Sequence, residues 1–229
     1  MNNSRIISSE NQTKLNTDSK DNNQHSINIA IIGDPKCGKT SLIECYLYEH
    51  IVEEKNKDTI LNVYQTKIMV KKHNFTINFF DISGYFDRDK DLVLEYIKCS
   101  NIVIICHSFE HDFNEESINF WLDIVEKNSV VGRNNIYLVS TKYDLKVMSD
   151  FQKGSIITTL IFQNGNMHAF GERIKTFINN NSIKQYFLAS SLLNFNVQEL
   201  FRSAIKDYIY DNIMILNKES KDNQNCLIF

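Results

Sequence analysis

Proline is nearly absent from this chain: Pro35 is the only one in 229 residues. Glycine is scarce as well, with seven residues. Positive charge is not in excess. The net charge is −3, which excludes the basic footprint of a general polyanion binder and so disfavours nucleic acid. The five cysteines (Cys37, Cys45, Cys99, Cys106 and Cys226) have no C-x-x-C spacing, so they fit a reducing compartment better than a disulfide framework. No apolar run approaches the roughly 20 residues of a membrane-spanning helix, and the polar N-terminus has no signal-peptide core. The sequence shows no internal repeat. These features together predict one cytoplasmic domain with tails.

The scarce residues are concentrated in one place. Gly33, Pro35 and Gly38 all lie in Gly33-Asp34-Pro35-Lys36-Cys37-Gly38-Lys39-Thr40, between the apolar run Ile27–Ile32 and the segment beginning Ser41-Leu42-Ile43. Strand, then G-x-x-x-x-G-K-T, then helix is the context in which a loop can cradle phosphates. Backbone N–H groups and the helix N-terminus favour an anion there. Lys39 can reach β- and γ-phosphates, and the Thr40 hydroxyl can bind Mg²⁺.

The rest of the chain alternates strands and helices. Strands are expected at Ile27–Ile32, Tyr64–Val70, Phe75–Ile82, Ile102–Cys106, Ile136–Val139 and Gln185–Leu188. Lys71–Asn74 reads as a hairpin turn. Helices are expected at Lys39–His50, from an Asn114 cap to Lys127, over Phe170–Phe177, and over Val197–Ile209. In the last of these, Val197, Leu200, Phe201, Ala204, Ile205, Tyr208 and Ile209 repeat at helical spacing. The alternation predicts an α/β fold with a doubly wound, mostly parallel sheet and ligands at the carboxyl ends of its strands. Residues 1–25 are too polar to bury much surface and read as a flexible extension. Residues 26–216 form the domain and 217–229 a tail.

Three more stretches fall at strand ends. Asp81-Ile82-Ser83-Gly84 offers a carboxylate for Mg²⁺ and a glycine N–H for a γ-phosphate, although an ordinary turn also satisfies D-x-x-G. Thr141-Lys142-Tyr143-Asp144-Leu145 offers a carboxylate that can accept from both N1–H and N2–H₂ of guanine, with Lys142 lying along the base. Ala189-Ser190-Ser191 offers backbone N–H groups to the guanine O6. The His107/His111 pair has no accompanying constellation and reads as ordinary surface or core histidine.

In this order, the four stretches resemble the Ras superfamily of small GTPases over residues 27–212. The resemblance implies a three-layer P-loop GTPase fold with a six-stranded, mostly parallel sheet and one antiparallel edge strand. It implies GTP/GDP and Mg²⁺ as ligands. Residues Gly33 through Ser41, Thr59, Gly84, Thr141, Lys142, Asp144, Leu145, Ser190 and Ser191 would hold the nucleotide, and Thr40, Thr59 and Asp81 the metal. Lys39, Thr59 and Tyr85 stand at the catalytic positions. Tyr85–Asp91 would be part of a mobile switch. The spacing from Thr59 to Asp81, the long stretch between Asp144 and Ser190 that could house an insert helix, and Thr141–Leu145 look Rho-like. Trp121-Leu122-Asp123-Ile124 and Asn196-Val197 with Phe201 look Rab-like, and the Rho branch is favoured. The ending Cys226-Leu227-Ile228-Phe229 matches a prenylation signal, with Phe favouring geranylgeranyl. It implies a prenyltransferase as partner and attachment at the cytoplasmic face of a membrane. Only Lys218 and Lys221 lie close upstream, so the second membrane signal is weak.

Departures from the family pattern cluster where hydrolysis would occur. Tyr85 stands at the catalytic glutamine position, and a phenol lacks the paired donor and acceptor that orient water. Pro35 stands where glycine is usual, fixing φ and removing an N–H near the point of arginine-finger entry. Ile51 replaces an aromatic cover of the guanine, and Ser83 an alanine. The expected function is a monomeric, membrane-attached switch that recruits effectors and answers to exchange factors, with slow hydrolysis and a poor response to activating proteins. The alternatives are a GTP-locked or weakly binding scaffold and, against the grain of Thr141–Asp144, a P-loop kinase or ATPase.

Overall fold

The computed structural model describes residues 5–7, 24–51, 59–71, 73–109, 113–145 and 172–214. Its strands are β1 (Arg5–Ile7), β2 (Gln24–Gly33), β3 (Leu61–Val70), β4 (His73–Ile82), β5 (Ile102–Ser108), β6 (Ile136–Thr141) and β7 (Gln185–Leu188). Its helices are α1 (Lys39–Tyr48), α2 (Lys90–Lys98), α3 (Glu115–Asn128), α4 (Glu172–Asn180) and α5 (Val197–Tyr208), and a π turn, Ile209–Met214, follows the last. The sheet order is β1-β3-β4-β2-β5-β6-β7. Strands β4, β2, β5, β6 and β7 are mutually parallel, and β3 runs antiparallel to β4.

Period-two alternation in the central strands divides the core between two faces. Ile29, Ile31, Ile102, Ile104, Tyr137 and Val139 pack with Leu42 and Ile43 of α1 and Leu200, Phe201 and Ala204 of α5. Ala30, Ile32, Val103, Ile105, Ile136 and Leu138 face the other way, onto α2, α3 and α4. Burial of both faces explains why these strands read as continuous apolar runs. The three-layer arrangement and the six strands expected from the sequence are present.

The differences lie at the edges. The extension over 1–25 contains a seventh strand: β1 pairs antiparallel with β3, so β3 is not the outermost strand. β2 begins at Gln24 rather than Ile27 because its pairing with β4 continues to Asn74. β3 begins at Leu61 rather than Tyr64, since Leu61 and Asn62 pair with Ile82 and Asp81. The hairpin closes at Val70↔His73, with Lys71 at φ 57, and is tighter than a four-residue turn. Helix α1 stops at Tyr48, where Glu49 turns left-handed and donates its N–H to Cys45 O. Asn114 caps α3 as its position predicted, accepting from Glu116 and Ser117 N–H groups. Tyr85–Asp91, expected as a mobile loop, is a 3₁₀ turn at Phe86–Arg88 leading into α2. Asp89 of its charge run caps α2 by accepting from Leu92 N at 3.1 Å. The expected insert helix falls largely on residues 146–171, outside the described residues.

Phe201 is fully buried between Tyr46 and Phe79, at centroid separations of 4.5 and 5.3 Å. Phe201→Ala should lower stability by about 3–5 kcal/mol, measured by urea unfolding.

Candidate functional site

β2 delivers Gly33 to the carboxyl edge of the sheet, and α1 starts six residues later at Lys39. The loop between them turns with Lys36 at φ 59 and Gly38 at φ 96, the left-handed region in which a residue without Cβ is least strained. Lys39 is only 6% exposed. Its Nζ donates to Gly33 O at 2.9 Å and Asp34 O at 2.8 Å, and lies 3.7 Å from Cys37 Sγ. A buried ammonium held by backbone carbonyls in a loop of converging amides is a site for an anion.

Thr40 follows on the first turn of α1 and donates from Oγ1 to Asp81 Oδ2 at 2.7 Å. Asp81 is buried and arrives through the parallel register Ile31↔Asp81. A hydroxyl on the first turn of α1 and a carboxylate near the end of β4, side by side, are the hard oxygen donors that Mg²⁺ takes. Thr59, two residues before β3, is exposed, and its hydroxyl accepts from Asn62 Nδ2 at 2.8 Å. Among the described residues no three His, Cys, Asp or Glu side chains form a metal cluster. His107 is buried edge-on against Phe113, while His111 lies outside the described residues.

Gly84 presses against the loop: an added Cβ would collide with the Pro35 nitrogen and the Asp34 carbonyl carbon. Pro35 and Tyr85, two of the four departures from the pattern the sequence resembles, are therefore neighbours, because Tyr85 follows Gly84. Its ring is 41% exposed and lies under the Arg88 guanidinium, 4.3 Å from the centroid.

The stretches expected from the sequence to meet a base converge on the same frame. Asp144 is buried, and Ser190 Oγ donates to its Oδ1 at 2.6 Å, fixing one carboxylate oxygen. The Ser190 N–H donates to Phe195 O at 3.1 Å and so is used within its own turn. Ser190 thus orients the Asp144 carboxylate, and its own N–H is engaged within the turn. Ser191 O accepts from Cys45 Sγ at 3.4 Å, which ties this turn to α1. Thr141 Oγ1 donates to Cys37 O and contacts His107 O at 3.1 Å, joining the loop to β5 and β6. Lys142 sits at φ 56 between them. Leu145 and Ile51 are both 40% exposed. Cys226 lies outside the described residues.

Two contacts escape the sequence. Asp34 is clamped from α3, with Ser117 Oγ donating to Oδ2 at 2.6 Å and Trp121 Nε1 to Oδ1 at 3.2 Å. Nothing local announces partners more than eighty residues away; Trp121 reads simply as the core face of a helix. Cys37 also meets Cys106 beneath the loop. That hydrogen bond, with Lys39 nearby, lowers the Cys37 thiol against the effect of burial, while burial raises Cys106 well above the usual thiol range. A groove of about 660 Å³ lies elsewhere, between the end of α1, the second half of β3 and the end of α5, and none of the motif residues lines it.

The sequence model of the Ras family matches residues 28–210, which contain every one of these contacts. Among curated relatives, the chain is 22% identical to Ras-related protein RabG2 of Dictyostelium discoideum over 52% of its own length and 59% of the relative's. It is 26% identical to GTP-binding protein RHO3 of Eremothecium gossypii, over 59% of each chain. It is 22% identical to Rho-related protein racI of Dictyostelium discoideum, over 88% of this chain and 97% of the relative. The chain spans less than two thirds of the length of RabG2 and of RHO3 in these matches.

Removing the Ser117 hydroxyl leaves one Asp34 oxygen without that donor. Ser117→Ala should cost about 1–3 kcal/mol in urea unfolding, and Ser117→Thr should recover most of the loss.

Proposed function

The chain belongs to the Ras family, and from that membership we propose that it is a guanine-nucleotide switch that hydrolyses GTP slowly. One observation carries the reading. The Asp144 carboxylate, oriented by Ser190, and the Lys39 loop are joined through Thr141, so base and phosphates would be held in one rigid frame. The Asp144 carboxylate would accept from guanine N1–H and N2–H₂ through its two oxygens, Oδ1 keeping a lone pair beside the one that takes the Ser190 hydroxyl, and Ser191 N–H would donate to O6. Adenine offers neither pattern. Lys39 would exchange its carbonyl partners for phosphate oxygens, since it already points into the loop. Thr40 and Asp81 would hold Mg²⁺, which when bound neutralises charge between the β- and γ-phosphates. Thr59 would join them after swinging from Asn62.

The slow step is read from Tyr85 and Pro35. A phenol on an exposed ring stacked under Arg88 cannot orient water as an amide does. The missing N–H at Pro35 removes one donor near the γ-phosphate position. A chain that remains GTP-loaded and serves as a scaffold for effectors is the second reading, favoured by these same two residues. Among the branches we favour Rho over Rab, in line with relatives whose printed names are RHO3 and racI. Regulators and effectors would meet the surface from Thr59 to Asp91. No helix among the described residues is long and apolar enough to cross a membrane. We assign membrane attachment to prenylation of Cys226.

Nucleotide released from the purified protein and separated by chromatography should be guanine nucleotide; adenine nucleotide would overturn the proposal. Asp144→Ala should weaken GTP binding about 100-fold, measured by fluorescent-nucleotide titration. In single-turnover assays hydrolysis should be slow, and Tyr85→Gln should raise it at least ~10-fold. Wild-type hydrolysis as fast as that of the Tyr85→Gln variant would sink the argument from Tyr85.

A further inference from the structure

The groove that none of the motif residues lines has no part in the switch reading. It is walled by the end of α1, the second half of β3 and the end of α5. Its volume, about 660 Å³, falls within the roughly 300–1,000 Å³ of small-molecule sites. The floor is aliphatic: Ile205 and Ile209 are buried, and Leu47, Ile68 and Val70 are half-buried. Gln198 Nε2 donates to Tyr46 O at 3.0 Å, which fixes α5 against α1 and so holds the groove open. Met69 and Tyr210 line it at 74% and 66% exposure, so the apolar surface continues to the mouth.

The rim carries charge of mainly one sign. Lys67 and Lys71 come from β3 and its turn, Arg202 and Lys206 from α5, and Glu49 is the one carboxylate among the lining residues. Four cations against one anion leave a local excess of positive charge in a chain whose net charge is −3. Arg202 and Lys206 are four residues apart on one helix, where like charges face each other and repel. No salt bridge between described residues engages any of the four cations. All four are exposed, with stems long enough to lie along apolar surface while the charged heads reach outward.

An aliphatic floor beneath a basic rim fits an amphiphile with an apolar chain and an anionic head. The rim excess suits a phosphate monoester, which carries about −1.5 to −2 at pH 7, better than a singly charged carboxylate. A bilayer surface cannot place chains against Ile205 and Ile209 at the bottom of a groove, whereas one free chain can. We propose that the groove between α1, β3 and α5 binds a monomeric single-chain alkyl phosphate, its head held by Arg202, Lys206 and the β3 lysines and its chain laid on Ile205 and Ile209. The site goes beyond the switch reading and does not depend on it.

The test titrates the full-length chain with dodecyl phosphate below its critical micelle concentration, followed by calorimetry. One site should be filled. Arg202→Gln/Lys206→Gln should weaken binding at least ~10-fold, because contacts between charged partners are the strong ones. Lys98→Gln/Lys127→Gln removes the same charge from α2 and α3, on the other face of the sheet, and should bind as wild type does. Dodecanol, which is the chain alone, and inorganic phosphate, which is the head alone, should each bind at least ~10-fold more weakly than dodecyl phosphate. Absence of binding, or equal binding of either fragment, overturns the proposal. Undiminished binding by the Arg202→Gln/Lys206→Gln variant also overturns it, and would place the ligand at another anion site such as the Lys39 loop. Tighter binding to phosphatidate vesicles or to an acidic amphipathic helical peptide overturns it in favour of a membrane or a helix as occupant. No readout requires a guanine nucleotide, so the two proposals fail separately.

Discussion

The Lys39 ammonium is the constraint around which the carboxyl end of the sheet is arranged. At 6% exposure it cannot be solvated, and its partners are the Gly33 and Asp34 carbonyls and the Cys37 sulphur, none of them a carboxylate. Held by these dipoles, the buried cation gives the loop a positive field. That field is added to the N-terminal end of α1. The surrounding contacts hold the loop in this shape rather than neutralise it: the Asp34 carboxylate is turned to Ser117 and Trp121, and the Cys37 carbonyl is held by Thr141.

This arrangement couples elements far apart in sequence. A shift of α3 would be felt at Asp34, and a shift of β6 at Cys37. The Asp144 carboxylate sits on the second of these paths, three residues beyond Thr141. The geometry of the loop and that of the Asp144–Ser190 pair therefore cannot vary independently, which is what a site holding both ends of one ligand requires.

What is legible in the sequence follows from the range of the forces involved. The buried strands announce themselves because both faces are covered, and the Asn114 cap because it bonds within its own turn. Gly33–Thr40, Asp81 and Thr141–Asp144 stand out because each motif is local. Helix α2 does not, because its first turn is a charge run, in which Asp89 serves as a cap while looking like solvated surface. β1 is hidden because three residues in a polar extension carry no periodicity; their pairing is supplied by β3. The Asp34 clamp is beyond reach because it depends on how α3 packs over β2. The division of labour between Ser190 and Ser191 depends on which amide the Phe195 turn uses.

The contact between Gly84 and Pro35 recasts two oddities as one feature. Gly84 has no Cβ, and the Pro35 nitrogen has no hydrogen. The segment after β4 can therefore lie flush on the loop at a point where a side chain on one or an N–H on the other would intervene. Glycine at position 35 would free φ and put an N–H hydrogen into this seam. The proline thus favours close packing of the Gly84 segment on the loop. Tyr85 is carried on the same segment, 41% exposed, with its ring beneath the Arg88 guanidinium. On the proposed reading both substitutions would act in one direction: they would leave intact the frame that joins the Lys39 loop to Asp144 while weakening the parts that would bring a water to a γ-phosphate.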